Sequence, residues 1–201
     1  MPSPRITRLL ASPTPRAVDE FWSEVVATGT PLVEPAGPGT VLVTFLWRGK
    51  ARSVRTWWGV NVPLAPVPGT DLWYGTRELP ADLRTIYCLL HDETERLPAD
   101  DGGGGLSHVD ALNPRRLRFP GDPDDPDDFD QWASVLELPL APADPWSEPR
   151  RGVPAGTVTT GTLPGTALGG PRPVTVYRPP GTPTDGLPVL VSFDGFLARE
   201  L

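Results

Sequence analysis

The chain is 201 residues long and 38% hydrophobic, enough for a real core, which excludes a wholly disordered protein. Its 28 Pro and 21 Gly, about a quarter of all positions, predict short strands and long connections. A net charge of −7 argues against non-specific binding to nucleic acid, because a polyanion needs a basic surface to displace its counterions.

The first segment, MPSPRITRLLASPTPR, holds an apolar patch of three residues at most, too short for the core of a signal peptide. A helix is predicted next: Thr14 can cap it, Pro15 suits its first position, Asp19 and Glu20 lie in the early turns, and Gly29 follows its end. Between them Val18, Phe21, Trp22, Val25 and Val26 form an apolar stripe that must pack on something, most simply a sheet.

From Thr40 the pattern becomes strand-like: TVLVTFLWRG, SVRTWWGVNV, DLWYGTREL and LRTIYCLLHD, separated by Gly, Pro, Asn and Asp. Strands at this spacing without helical patterns between them point to antiparallel pairing and a sandwich. The lone Cys88, inside TIYCLL, cannot form an intrachain disulfide and fits a reducing compartment; its bland reading is a buried, inert thiol. No run approaches the roughly 20 apolar residues of a membrane span. Together these features predict a cytoplasmic protein that engages neither membrane nor nucleic acid.

Residues 97–130 break the regularity with DDGGGG, SHVDALNPRRL and GDPDDPDDFD, and are expected to form a long surface excursion. The last stretch carries six of the 25 acids, so the rest of the chain is close to neutral. It lacks the glycine turn and distant Glu of an EF-hand calcium loop. After SVLELPLAP comes DPWSEPRRGVPAG, rich in Pro and charge, which reads as a linker. Beyond it GTVTTGTL, PVTVYRPPG and PVLVSFDG follow. The apolar run of the last suggests a strand covered on both faces in a mostly parallel sheet, so a domain boundary is placed near residue 150.

No G-x-S-x-G elbow, phosphate loop, dinucleotide fingerprint or zinc spacing is present. The two histidines, His91 and His108, suggest neither a metal site nor a triad. The aromatic residues are more informative. Trp47, Trp57, Trp58, Trp73 and Tyr74 fall on consecutive predicted strands, and alternation sends Trp57 and Trp58 to opposite faces. One of the two is then core, while the other covers a partner domain or stacks on a flat ligand, with Arg52 and Arg55 suited to an anionic aromatic one.

Several segments together resemble the enterochelin (enterobactin) esterase family of ferric-siderophore hydrolases. DLWYGTRELPADLRTIYCLL is similar to that family's Trp strand followed by an L-x-A-x-x-x-x-Y strand. DALNPRRL, from Asp110 to Leu117, matches a D-P-L-N-P signature with Ala111 in place of the first Pro. SVLELPLAPADPW matches the S-x-L-E-M-P-x-A-P linker. PVTVYRPPG and PVLVSFDGFLARE resemble the opening strands of the hydrolase domain, with Phe196 and Leu197 where Glu and Trp are common.

The resemblance implies a mainly β chain: residues 1–150 as an immunoglobulin-like β-sandwich with one N-terminal helix, and residues 151–201 as the incomplete start of an α/β-hydrolase domain. It implies an enzyme that cuts the serine trilactone esters of a tricatecholate siderophore so that iron is released in the cytoplasm. The family's nucleophile, acid and His match no residue here, so the chain by itself is expected to be inactive. No cofactor is implied, since iron enters only as the ferric siderophore substrate. The expected partners are that ferric catecholate siderophore and a missing C-terminal hydrolase domain. Trp57, Trp58, Arg52 and Arg55 are the substrate-binding candidates. The amide of Phe196, with Gly195 shaping the turn, is the candidate half of an oxyanion hole. Two other classes stay open: a stand-alone siderophore- or carbohydrate-binding module, and a domain that positions a partner protein.

Overall fold

The computed structural model describes residues 3–92, 106–121, 126–144, 151–165, 167, 169–183 and 185–193. The chain divides into two compact units, Met1–Arg118 with Asp130–Pro142, and Phe119–Phe129 with Ala143–Leu201.

The first unit opens with two helices, α1 (Pro4–Ala11) and α2 (Pro15–Thr28). Each follows the same local rule: a hydroxyl caps the first turn and proline, which has no N–H to waste, takes the first position. The Ser3 hydroxyl accepts from the Ile6 N–H at 3.2 Å, and the Thr14 hydroxyl from the Ala17 N–H at 3.2 Å. Gly29 ends α2 at φ +83°, a conformation that costs glycine little. The predicted helix is thus α2; α1 is additional.

Among the described residues nine strands follow in one sheet, antiparallel from β1 through β7 and at β6–β9: β1 (Leu32–Gly37), β2 (Thr40–Arg48), β3 (Val54–Trp58), β4 (Val62–Pro66), β5 (Leu72–Pro80), β6 (Arg84–His91), β7 (Leu106–His108), β8 (Arg116–Phe119) and β9 (Gln131–Glu137). Their order is β1-β2-β5-β4-β3-β6-β9-β8, with β7 paired to β6. The run SVRTWWGVNV is two strands, because the chain turns back at Gly59. A Cβ there would lie 2.6 Å from the Ile86 carbonyl oxygen and collide with the Thr85 hydroxyl. Strand β4 pairs with β3 through Val62 and Leu64, and with β5 through Ala65 and Pro66, so it carries the sheet around a bend.

The alternation of β2 explains the two cores. Val41, Val43 and Phe45 point to one face and meet Val54, Leu64, Tyr87, Leu89 and Leu136 from the far half of the sheet. Phe45 and Tyr87 are edge to face, with centroids 4.9 Å apart. Leu46, one position out of phase, joins Leu72 beneath Ile6, Leu9, Val18, Phe21 and Val25 of the helices. The apolar stripe of α2 therefore packs on a sheet, as its spacing predicts. No described helix is long and apolar enough to cross a membrane.

Of the stretch 97–130, residues 97–105 and 122–125 lie outside the described residues; the described ones, 106–121 and 126–130, correct the expectation of a plain surface excursion. They contain β7 and β8, and Asp110 and Asn113 are each only 3% exposed. A buried polar group must be hydrogen-bonded, and the first unit supplies the partners described below.

The second unit contains a two-stranded antiparallel sheet of β10 (Thr157–Leu163) and β11 (Arg172–Arg178), in register from Thr157↔Arg178 to Leu163↔Arg172. The expected buried strand PVLVSF is corrected as well: residues 188–193 have no regular structure, and Leu190 is 95% exposed. An apolar run forms a buried strand only where neighbours supply hydrogen bonds and cover. Among the described residues, none is paired with it.

Candidate functional site

The candidate binding residues lie on and beside β3. Arg55 pairs in register with Leu90 and Trp57 with Cys88, so Arg55 and Trp57 share one face of the strand. Trp57 is half-buried, and its Nε1–H donates to the Ser107 hydroxyl of β7 at 2.9 Å. Trp58 does not go to the opposite face in the manner that alternation predicts. Its φ is +85°, and its indole stacks on that of Trp57 with centroids 5.6 Å apart and planes 15° apart. Left-handed backbone is an outlier for so bulky a residue, and it cancels the strand period at this position.

Trp58 remains 43% exposed. Arg52 precedes the other end of β3 and is also exposed. Its backbone N–H donates to Asp92 Oδ1 at 2.6 Å, and this bond is the main reason the Asp92 carboxyl titrates below its ordinary range, with His91 adding to the effect. The structure therefore brings Arg55, Trp57 and Trp58 together and leaves Arg52 at the far end of the strand. Gly195 and Phe196, the oxyanion candidates, lie outside the described residues.

Near Arg52 a second aromatic group forms. Trp47 packs edge to face on Trp73 at 6.4 Å and stacks on His91 at 5.0 Å, and His91 meets His108 at 5.4 Å. His91 Nδ1 is buried without a hydrogen-bond partner, 3.7 Å from Asp92 Oδ2, while His108 Nδ1–H donates to the Val109 carbonyl at 2.9 Å. Proximity does not make these rings a metal centre: among the described residues no group of three or more His, Cys, Asp or Glu is placed to hold a metal ion.

The DALNP segment has a different role from either cluster. Asp110 Oδ1 accepts from the Thr30 hydroxyl at 2.7 Å and the Leu112 N–H at 3.1 Å, and Oδ2 accepts from the Tyr87 hydroxyl at 2.8 Å. The Asp110 N–H donates to Ser134 Oγ at 2.8 Å. Asn113 Nδ2 donates to the Tyr87 oxygen at 3.2 Å and the Val135 carbonyl at 2.9 Å, while its Oδ1 accepts from the Arg115 N–H at 2.8 Å. Burial, and next the Asp110 charge, push the Tyr87 phenol far above its ordinary range. This is a clasp that ties the excursion to β6, β9 and the end of α2, with every bond a structural one.

Among the described residues, two of the shallow cavities on the unit have linings that do not include the Trp pair. One, of about 160 Å3, is lined in part by Thr30, Asn113, Arg115 and Glu137; the other, of about 210 Å3, by Val18, Asp19, Arg48 and Asp71. Their charges are already paired, Arg115 with Glu137 and Arg48 with both Asp19 and Asp71. Cys88 is buried, and that burial raises its thiol above the ordinary range, the inert state expected of a core thiol.

Sequence reasoning missed Ser107, the left-handed Trp58 and the pairing of His91 with His108. The first and last depend on register between strands distant in sequence, and no local pattern announces them. The Trp58-Gly59 step carries a partial signal, since a Gly directly after a paired Trp marks a place where the strand can break.

The family model described as "Enterochelin esterase, N-terminal" matches residues 42–147. An iron(III) enterobactin esterase of Dickeya dadantii (strain 3937) is 31% identical, with 78% of this chain and 40% of that protein covered. One of Yersinia enterocolitica is 30% identical over 43% of this chain and 29% of that protein. A crystal structure of ferric enterobactin esterase from Salmonella typhimurium aligns at a TM-score of 0.49 and 21% identity, covering 78% of this chain and 45% of that one. The chain thus spans less than half the length of the curated relatives it matches.

Proposed function

This chain belongs to the enterochelin esterase N-terminal family, and on that premise we propose that residues 1–150 are the N-terminal domain of a ferric-siderophore esterase. The observation that carries this reading is the family match over residues 42–147, which contains the Trp pair, the DALNP clasp and the linker segment. The whole enzyme hydrolyses the serine trilactone esters of an enterobactin-type siderophore and releases iron in the cytoplasm. Iron enters as part of the substrate, and the reading needs no resident cofactor.

Within this reading the first unit is an immunoglobulin-like sandwich, supported by the core that both halves of its sheet share. Residues 151–201 open an α/β-hydrolase domain, supported by the β10–β11 hairpin and the exposed apolar run 188–193. In the whole enzyme we assign the role of oxyanion donor to the amide of Phe196, the residue after Gly195. Acyl transfer also needs a nucleophile and a base, and the 201 residues hold no recognisable pair. The chain alone therefore binds without turning over.

Trp57, Trp58 and Arg55 contact the siderophore, with Arg52 adding positive charge at the edge. Titration with ferric enterobactin is expected to quench tryptophan fluorescence while ester hydrolysis stays at background. Stoichiometric catalysis above background would overturn the claim of inactivity, and a full titration without quenching would overturn the claim of contact. The stacked Trp pair, with Trp58 exposed, also favours a second reading, a binding module that performs no chemistry; restored hydrolysis on joining the chain to a family hydrolase domain rejects it.

A further inference from the structure

In a regular strand Trp58 would face away from Trp57. Instead its φ of +85° swings the indole onto its neighbour, at a conformational cost that a bulky L-residue does not bear without support from its surroundings. Two features supply that support. Gly59 follows immediately and lets the chain pass close against Thr85 and Ile86, where a Cβ would collide. Ser107 accepts from Trp57 Nε1 at 2.9 Å and so fixes the plane of the indole on which Trp58 stacks.

Ser107 is itself held in place. It pairs in register with Leu90 on β6, and it lies three residues before Asp110, whose carboxylate is locked by the Thr30 and Tyr87 hydroxyls. The clasp is thus linked to the Trp pair through one short strand.

We infer that Ser107 and the left-handed backbone of Trp58 are positioning devices that assemble the two indoles, before any ligand arrives, into a rigid platform for one planar catecholate ring. This rests on the siderophore reading. Stacked indoles present a flat π surface that suits a flat ring, and a platform already ordered loses little freedom on binding. Neither Ser107 nor the Trp58 backbone touches the ring; each acts through the indoles.

The test uses the 201-residue chain, ferric enterobactin as probe, and the exciton couplet that a stacked indole pair gives in far-ultraviolet circular dichroism. Ser107→Ala is expected to weaken the couplet and to weaken binding by about five- to tenfold, the worth of one lost hydrogen bond, and Ser107→Thr to restore both. Trp58→Gly and Trp58→Ala both remove the ring. At a left-handed position glycine is the more stable replacement, so Tm is expected to be higher for the glycine variant by about 2–4 °C, the reverse of the usual strand order. An alanine variant that equals or exceeds the glycine one overturns the inference. So does a Ser107→Ala protein with unchanged couplet and affinity beside a wild-type chain that binds. A wild-type chain that keeps a Ser107-dependent couplet yet binds no ferric enterobactin overturns the siderophore reading and leaves the assembly of the platform standing.

Discussion

Val43 on β2 and Val176 on β11 are both valines in the middle of antiparallel strands, yet Val43 is fully buried and Val176 is 53% exposed. β2 has a strand on each side, helices over one face and the far half of its sheet over the other. The β10–β11 pair has completed its mutual hydrogen bonds and, among the described residues, gained no more strands. Backbone register is therefore the smaller part of what stabilises a β structure. The larger part is the apolar area removed from water, at about 25 cal/mol per Å2, and among the described residues the buried apolar side chains lie in the first unit.

The clasp is the feature that most separates the two regions, so breaking it has the largest expected effect. Asp110→Ala would leave the Thr30 hydroxyl, the Tyr87 hydroxyl and the Leu112 N–H without their acceptor. Each buried donor left unmet costs about 1–3 kcal/mol, and partial relaxation brings the total to roughly 3–5 kcal/mol. Urea unfolding followed by tryptophan emission measures it. A loss under about 1 kcal/mol would mean that the excursion is held by something other than the clasp. Asp110→Asn, which keeps one acceptor, is expected to fall between the two.

A smaller and pH-dependent effect sharpens the same contrast. Tyr87 is neutral in the fold well above 10.0, the value at which an unperturbed phenol titrates, because burial and then the Asp110 charge oppose the phenolate. Above 10.0 and below its own raised titration range, the folded state binds the extra proton. Its contribution is therefore fully present below pH 10 and is lost as pH rises above it, at up to about 1.4 kcal/mol per pH unit. Cys88, raised by burial from 9.0, adds loss of the same sign. Urea midpoints taken from pH 8 to 11 are expected to fall most steeply above pH 10. Tyr87→Phe is expected to flatten that limb, and an equal slope in both proteins would remove Tyr87 as its source.

What was legible in the sequence follows the range of the forces involved. Helix α2 is written in its caps and its three-and-four spacing, and both lie within one stretch of chain. Ser3 and Pro4 carry the same local signal for α1, but its eight residues offer too short a period to stand out. The strands are visible as apolar runs, whereas their partners are not, since the β2–β5 pairing joins residues from 24 (Arg48↔Leu72) to 40 (Thr40↔Pro80) positions apart. For the same reason DALNP is recognisable as a motif while its work, bonding Thr30, Tyr87 and Ser134, is invisible until those residues meet. The Trp pair stands out in the sequence, but alternation assigns its faces wrongly, because period-2 reasoning presumes extended backbone and Trp58 departs from it.

The hairpin gives the smallest expected effect and the most exacting test. Tyr177 is 60% exposed and Val158, its register partner, 55% exposed, so a pair that would contribute up to about 1 kcal/mol in a covered sheet has little to exclude water here. Tyr177→Ala is expected to move the urea midpoint by less than about 0.5 kcal/mol, within the range of ordinary surface substitutions. Amide exchange separates the cause from the coincidence. Leu89, buried in β6, is expected to exchange only when the first unit unfolds, whereas Val174, Val176 and the run 189–193 are expected to open locally and exchange fast. If Val176 proved as protected as Leu89, the hairpin would have a cover in solution. The contrast with Val43 would then be one of which partner is bound, with the difference between the two sheets no longer intrinsic to either.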